Sequence, residues 1–75
     1  MKIIGSVCSE VKYSEGKSNY KISCSQYEYE VISYGKQAIK DFIFIRKGQN
    51  VEVDGNLKKE KIYPIKEKIL IQKNS

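Results

Sequence analysis

Histidine and tryptophan are absent from this 75-residue sequence, and cysteine and proline are scarce, with two residues and one residue. Without histidine the chain cannot form a Ser-His-Asp triad, a Cys-His dyad or a zinc site that uses histidine. Two cysteines are too few for a metal site made of four cysteines. We therefore expect no bound metal, no cofactor and no catalysis by these arrangements.

Long apolar runs are also missing. The longest candidate is the four-residue segment FIFI at 42–45, whereas a membrane-spanning helix needs about 18–20 apolar residues. The N-terminal sequence MKIIGSVCSE superficially resembles a lipoprotein signal. Its apolar part is shorter than the roughly 7–15 residues of such a signal, and Val7 rather than a small residue precedes Cys8. We expect a first strand there, no membrane partner and a cytoplasmic location.

The charge balance points to an anionic partner. The chain carries 14 lysines and arginines against nine acidic residues, which gives a formal net charge of +5. Its 40% apolar and 31% charged residues are ordinary for a globular protein, and its length fits one domain over residues 1–75. A small basic domain attracts polyanions. The composition therefore favours a nucleic acid as partner.

Apolar residues alternate with polar ones over most of the chain, which predicts a β protein. The predicted strands are 2–13, 19–25, 27–34, 50–58 and 61–72. The segment SEGKS at 14–18 predicts a turn, in which Gly16 can adopt a positive φ. Pro64 lacks an N–H group and predicts a bulge or a break in the last strand.

One segment, residues 35–48, has helical spacing instead. Its apolar residues at helical spacing are Ala38, Phe42 and Ile45. Gly48 is a suitable C-terminal stop, and Arg46 and Lys47 precede it where the helix dipole favours cations. We expect a short helix, with Phe42 and Phe44 in the core.

Five strands with one helix between the third and the fourth are the element order of an OB-fold barrel. Closure into a barrel removes exposed sheet edges, which suits so short a chain. An SH3-like barrel is the alternative, although it normally has no helix at that place. The predicted fold class is therefore all-β with one short helix, as a five-stranded OB-fold barrel.

The first two strands also predict the state of the cysteines. Apolar residues fall on odd numbers in the first strand and on even numbers in the second, so matched faces require pairs such as Tyr13 with Tyr20. Cys8 then lies on the opposite face from Cys24. We expect two free cysteines.

Two segments, YGKQA at 34–38 and KGQNVEVDGNL at 47–57, have the spacing of a known family. They resemble the bacterial single-stranded DNA-binding protein family, and Ile4-Gly5 and the region around Gly16-Lys17 are similar to its opening strand and first hairpin. The resemblance covers most of residues 3–61, in a chain similar in size to the compact primosomal OB proteins. It implies an OB-fold, single-stranded DNA as ligand, a homo-oligomer and a stacking role for Tyr34.

The candidate site residues are cations that could contact phosphates and tyrosines that could stack on bases. The cations are Lys12, Lys17, Lys21, Lys36, Arg46, Lys47, Lys58, Lys59 and Lys61. Arg46 and Lys47 have the alternative role of ending the helix. The stacking candidates are Tyr34 and Tyr63; the other tyrosines are expected in the core or at its rim.

We predict a non-catalytic protein that binds single-stranded DNA by phosphate contacts and tyrosine stacking, as in DNA replication. The acids Asp41, Glu52 and Asp54 are interpreted as surface residues, so they suggest no enzyme. Stacking on tyrosine tolerates RNA equally, which leaves an RNA-binding OB protein as one alternative.

A second alternative is a protein–protein interaction module in replication or DNA transfer. It is motivated by Glu28 and Glu30, which share the predicted face of Tyr34 and would repel phosphates. We also expect a homodimer or a higher homo-oligomer, because the outer face of the first strand, with Ser6 and Cys8, would leave an edge that pairs across a two-fold axis.

Overall fold

Six strands and one helix make up the described part of the chain, residues 2–70 of a computed structural model. In chain order they are β1 Lys2–Val7, β2 Lys12–Ser14, β3 Lys17–Cys24, β4 Tyr27–Tyr34, α1 Gly35–Phe44, β5 Asn50–Lys58 and β6 Lys61–Leu70. The predicted residues 71–72 of the last strand lie outside the described residues.

The strands close into a ring. Their order in the sheet is β1-β5-β6-β4-β3-β2, and β1 also pairs with β3, which closes the ring. The β4–β6 pair is parallel, whereas the other pairs are antiparallel. The helix lies between β4 and β5, which correspond to the predicted third and fourth strands. The predicted OB-fold barrel is therefore confirmed.

The predicted long first strand is two strands, β1 and β2, separated at residues 8–11. In β1, Val7 is opposite Ile22 of β3, while in β2, Tyr13 is opposite Ser18. The predicted pairing of Tyr13 with Tyr20 was thus wrong. The break lets β1 leave β3 and pair with β5, as barrel closure requires of a strand that bends between neighbours.

Both cysteines are free, as predicted. The structure also places β1 within the ring, paired with β5 on one side and at its end with β3 on the other. The edge on which the homo-oligomer was predicted is therefore partly used inside the barrel, and the oligomeric state stays a prediction.

The core fills the inside of the ring. Its buried residues are Ile3, Val7, Tyr20, Ile22, Val31, Ile45, Val51, Val53 and Ile62. Phe42 and Phe44 were predicted in this core, but they are 51% and 60% exposed. The prediction was wrong because α1 presents only Ala38 and Asp41 to the barrel.

The helix ends at Phe44, not at Gly48 as predicted. Ile45 is already extended, and polar side chains cap the released carbonyl groups: Gln49 Nε2 donates to the Phe44 carbonyl at 3.2 Å and Arg46 Nη1 to the Phe42 carbonyl at 3.1 Å. Arg46 thus fulfils its alternative role at the helix end. Within residues 2–70, no helix is both long and apolar enough to cross a membrane.

The predicted irregularity at Pro64 is a β-bulge. Gly55 of β5 pairs with Pro64, but Asp54 pairs with Lys66, so Ile65 is the extra residue and is 76% exposed. Before the bulge the even residue Ile62 is buried, whereas beyond it the odd residue Ile69 packs against the core, because the extra residue reverses the alternation. A Cβ atom on Gly55 would collide with the Tyr63 carbonyl, so glycine allows this close approach.

Candidate nucleic-acid interface

A groove of about 740 Å³ lies between β4 and the turn that joins β5 to β6. We call it the turn groove. Its lining residues are Lys21, Glu28, Tyr29, Glu30, Lys58, Lys59, Glu60, Lys61 and Tyr63. The structure therefore brings together five of the predicted site residues, namely Lys21, Lys58, Lys59, Lys61 and Tyr63.

The parallel β4–β6 pairing positions this groove. Glu30 is opposite Lys61, and the Glu30 N–H donates to the Glu60 carbonyl at 2.8 Å. On the other side of β4, Glu30 is opposite Lys21 of β3. Glu30 is thus flanked by Lys21 and Lys61, two lysines that are distant from each other in sequence.

The turn itself presents its cations to solvent. Lys58 and Lys61 are opposite each other at the ends of β5 and β6, and Lys59 adopts a positive φ of 57° between them. All three side chains are exposed. A tight turn therefore concentrates three positive charges at one rim of the groove.

The opposite rim is acidic. Two of the three glutamates that line the groove, Glu28 and Glu30, lie on β4, whereas Glu60 lies among the three lysines of the turn. Glu28 and Glu30 share the outer face of β4, as predicted, and Glu30 accepts a hydrogen bond from Asn19 Nδ2 at 3.0 Å. Because like charges repel, a phosphate chain is favoured along the β5–β6 turn and disfavoured over β4.

Two tyrosines that the sequence assigned to the core or its rim extend the groove. Tyr29 lines it, and the Tyr27 ring lies against Tyr29 with 6.5 Å between ring centroids. Tyr27 is 66% exposed. The first residues of β4 precede its pairing with β6, which begins at Glu30, and this register explains why inward-facing tyrosines reach solvent.

A second group of predicted residues surrounds the β2–β3 turn: Lys12, Lys17, Tyr34 and Lys36. Tyr34 is opposite Lys17 and is 59% exposed, and the N–H of Gly35 donates to the Gly16 carbonyl at 2.9 Å. Gly35 begins α1 with a φ of +62°, which glycine adopts without strain. This group lies about 13 Å from the turn groove along β3, at about 3.3 Å per residue.

One residue of each group, Lys12 and Lys21, lines a shared groove. This smaller groove of about 340 Å³ is lined by Lys12, Asn19 and Lys21 together with Ser9, Glu10, Tyr20 and Glu30. Arg46 and Lys47 are not part of this surface; they line a separate groove beside α1. The predicted site is thus divided: five of its residues line the turn groove, four surround the β2–β3 turn, and Arg46 and Lys47 lie apart from both.

A buried polar cluster under α1 was not predicted from the sequence. It consists of Ser18, Tyr20, Ser33, Asp41 and Glu67. Asp41, predicted at the surface, is only 2% exposed. The prediction was wrong because large apolar residues surround Asp41 in α1, and this pattern does not identify the side that packs on the barrel.

The hydrogen bonds of this cluster require a shared proton. Ser33 Oγ lies 2.7 Å from Asp41 Oδ2 and 3.0 Å from Glu67 Oε1, yet a serine hydroxyl has only one hydrogen to donate. Tyr20 donates its hydroxyl hydrogen to Glu67 Oε2 at 2.8 Å. A protonated Glu67 that donates to Ser33, which in turn donates to Asp41, satisfies all three groups.

Burial and the neighbouring Asp41 carboxyl raise the pKa of Glu67 to about 8. Burial, followed by the nearby Glu67 carboxyl, also raises the pKa of Tyr20. Among the described residues, no group of three or more cysteine, aspartate or glutamate side chains could hold a metal ion. The cluster therefore attaches α1 to the barrel through the bonds of Asp41 to Ser18 and Ser33, beside a Glu67 carboxyl that stays neutral at moderate pH.

No protein-family profile matches this sequence, and no curated protein matches it. Solved structures do match. The structure is similar to TiaS in its complex with tRNA, AMPCPP and agmatine, with a TM-score of 0.81 and 27% identity over 93% of this chain and 18% of that one.

Two further solved structures match with similar TM-scores, identities and coverage. The ZRD-deleted mutant of TiaS in complex with agmatine gives a TM-score of 0.79 and 28% identity over 91% of this chain and 20% of that one. A tRNA fluorescent labeling enzyme gives a TM-score of 0.80 and 27% identity over 96% of this chain and 18% of that one. This chain thus spans about a fifth of the length of the proteins it resembles.

Proposed function

We propose that this chain is an RNA-binding OB module without catalytic activity of its own. The observation that carries the proposal is the turn groove, in which Lys58, Lys59 and Lys61 face Tyr29 and Tyr63. OB-folds bind nucleic acids with this surface, formed by their second and third strands and the loop between the last two. In this barrel those elements are β3, β4 and the β5–β6 turn.

The charges of the groove suggest how the ligand is oriented. Phosphates contact the lysines of the β5–β6 turn, because Glu28 and Glu30 repel them from β4. The bases then point toward β4 and stack on Tyr63 and Tyr29, where each stacked base contributes about 1–3 kcal/mol. The carboxylates that repel phosphate can accept hydrogen bonds from exocyclic amino groups of the bases.

The solved structures favour RNA over DNA as the ligand. TiaS was solved with a tRNA, and the second protein is described as a tRNA labeling enzyme. The groove chemistry itself suits both kinds of single strand, since stacking and phosphate contacts are shared by them. Single-stranded DNA, the prediction from the sequence resemblance, is therefore the alternative ligand.

Competition between matched ligands tests this proposal. A fluorescent RNA of about 30 nucleotides would be titrated with the chain at low salt, and then displaced by unlabelled RNA, by DNA of the same sequence and by a tRNA transcript. We expect saturable binding that weakens as salt rises, with RNA the better competitor.

An unrelated basic protein of the same size and net charge serves as the control. Binding no tighter than that of the control would contradict a nucleic-acid function. Better competition by DNA than by RNA would overturn the choice of RNA and support the single-stranded DNA alternative.

A further inference from the structure

We infer that the outer face of α1 is a docking surface for an acidic amphipathic helix of another protein. The surface, which we call the helix patch, consists of Tyr13, Ile39, Phe42 and Ile43. All four side chains are exposed. Ile39, Phe42 and Ile43 lie on one side of α1 because they are spaced by three and four residues.

The helix patch is continuous with the hairpin beside it. The Tyr13 ring of β2 lies 5.7 Å from the Phe42 ring, measured between centroids, at an angle of 39°. The apolar surface therefore spans two elements rather than one isolated side chain. A contiguous apolar surface of this kind is typical of a binding site.

The distribution of residues in α1 supports this interpretation. A helix that covers a barrel normally buries its large apolar side chains and exposes its polar ones. In α1 the buried residues are the small Ala38 and the acidic Asp41, whereas Ile39, Phe42 and Ile43 face water. Packing on the barrel thus leaves the apolar side of the helix exposed, with only the Tyr13 ring against it at Phe42 among the described ring contacts.

A groove beside the helix patch can receive apolar side chains of a second helix. It measures about 600 Å³ and is lined by Glu10, Val11, Phe42, Ile43, Ile45, Arg46 and Lys47. An amphipathic helix binds such a groove through apolar residues at positions i, i+3, i+4 and i+7.

The charges around the helix patch define the partner. Lys36 and Lys40 precede Ile39 and Ile43 by three residues, so they border the patch along α1. Arg46 and Lys47 lie at its other end. These four exposed cations outnumber the one carboxylate in the groove lining, Glu10, and they favour acidic residues on either side of the partner's apolar face.

The same charges disfavour a second copy of this chain. A two-fold symmetric contact through the helix patch would bring each basic border against its own copy. Ile39 and Ile43 have no ring on which a nucleic-acid base could stack, and the Tyr13 and Phe42 rings already pack against each other. None of the four patch residues lines the turn groove, so the inference does not depend on RNA binding.

Designed peptides test this inference. The first is an amphipathic helix of about 18 residues with leucine on one side and glutamate on the other; two matched peptides carry glutamine or lysine in place of glutamate. Chemical shifts of the ¹⁵N-labelled chain would be followed to millimolar peptide. We expect shifts centred on Tyr13 and 39–43, with the glutamate peptide binding about tenfold or more tightly than the lysine peptide.

Two variants complete the test. Lys36→Glu with Lys40→Glu should reverse the preference in favour of the lysine peptide, and both positions are exposed, so the fold is retained. Phe42→Ser should weaken binding at least about fivefold, whereas Ile65→Ser, at an exposed apolar residue elsewhere, should not.

Three results would overturn the inference. The first is an absence of shifts at α1, and the second is equal binding of the three peptides. The third is light scattering that shows a dimer which Phe42→Ser dissociates, because a second copy would then be the occupant.

Discussion

The turn groove and the buried polar cluster both combine carboxylates with tyrosines, but the barrel places them in opposite surroundings. Glu28 and Tyr27 are exposed at the groove, whereas Asp41 and Tyr20 are each 2% exposed under α1. In water, charges are screened and respond to salt; in the interior, a carboxyl responds by holding a proton. Because of this difference in burial, we expect salt to affect ligand binding at the groove and pH to affect the stability that the cluster contributes.

The largest expected effect is the removal of a buried carboxylate. Asp41→Ala leaves Ser18 and Gln37 without their acceptor, whereas Ser33 keeps Glu67 as a partner, and it should lower the free energy of unfolding by about 2–3 kcal/mol. Urea denaturation followed by circular dichroism measures this loss. Lys40→Ala, an exposed change in the same helix, is the control; a loss at Asp41 no larger than at Lys40 would contradict the structural role of the cluster.

The second effect is a dependence of stability on pH. Because the pKa of Glu67 rises from 4.5 to about 8 on folding, the folded chain holds a proton that the unfolded chain releases between these pH values. The stability from this proton is complete below pH 4.5 and is lost as the pH rises through about 8.

Urea midpoints at several pH values between about 5 and 9 measure this contribution. Glu67→Gln should remove the fall toward high pH, whereas Glu28→Gln, at the exposed groove, should leave it in place. An identical pH profile for the two variants would show that Glu67 is not protonated in the folded chain.

The third effect concerns stacking in the groove. Tyr63→Ala should weaken RNA binding by about 1–3 kcal/mol without changing the salt dependence, because the substitution removes a ring and leaves the phosphate contacts in place. Tyr63→Phe keeps the ring and should bind like the unchanged chain. Fluorescence anisotropy measures both affinities, and equal affinities for Tyr63→Ala and Tyr63→Phe would exclude stacking there.

The smallest effect is expected from the acidic rim. Glu28→Gln removes an exposed negative charge near the phosphates and should tighten RNA binding by about half a kcal/mol or less, mostly at low salt. The same titrations measure it. Weaker binding would show that this carboxylate contacts the bases directly.

The barrel was predictable because alternation and glycine positions are local signals. Residues 50–58 alternate as predicted, with Val51 and Val53 buried, and the order of strands and helix identified the OB-fold. Pro64 predicted a bulge from its missing N–H group. Which residues of β6 point into the barrel was not predictable, because this depends on which residue the bulge leaves unpaired. In the structure that residue is Ile65.

The composition of the site was only partly predictable. The lysines at 58–61 lie in one short run, so their proximity was visible in the sequence, and the structure adds Lys21 through the β3–β4 pairing. Tyr29 entered the groove because β4 extends beyond β6, which is a property of register. Asp41 is buried because its partners Ser18 and Ser33 lie on β3 and β4, and no local sequence pattern indicates these partners.

The most direct test of the groove is the salt dependence of RNA binding by Lys58→Ala with Lys59→Ala. Its matched control is Lys66→Ala with Lys68→Ala, which removes the same charge from exposed positions elsewhere on β6. For a single-stranded RNA, the slope of log affinity against log salt should flatten by about 0.7 for each phosphate that the variant no longer neutralises. We predict this change in the Lys58 and Lys59 variant and an unchanged slope in the control; equal slopes in the two variants would contradict binding at the turn groove.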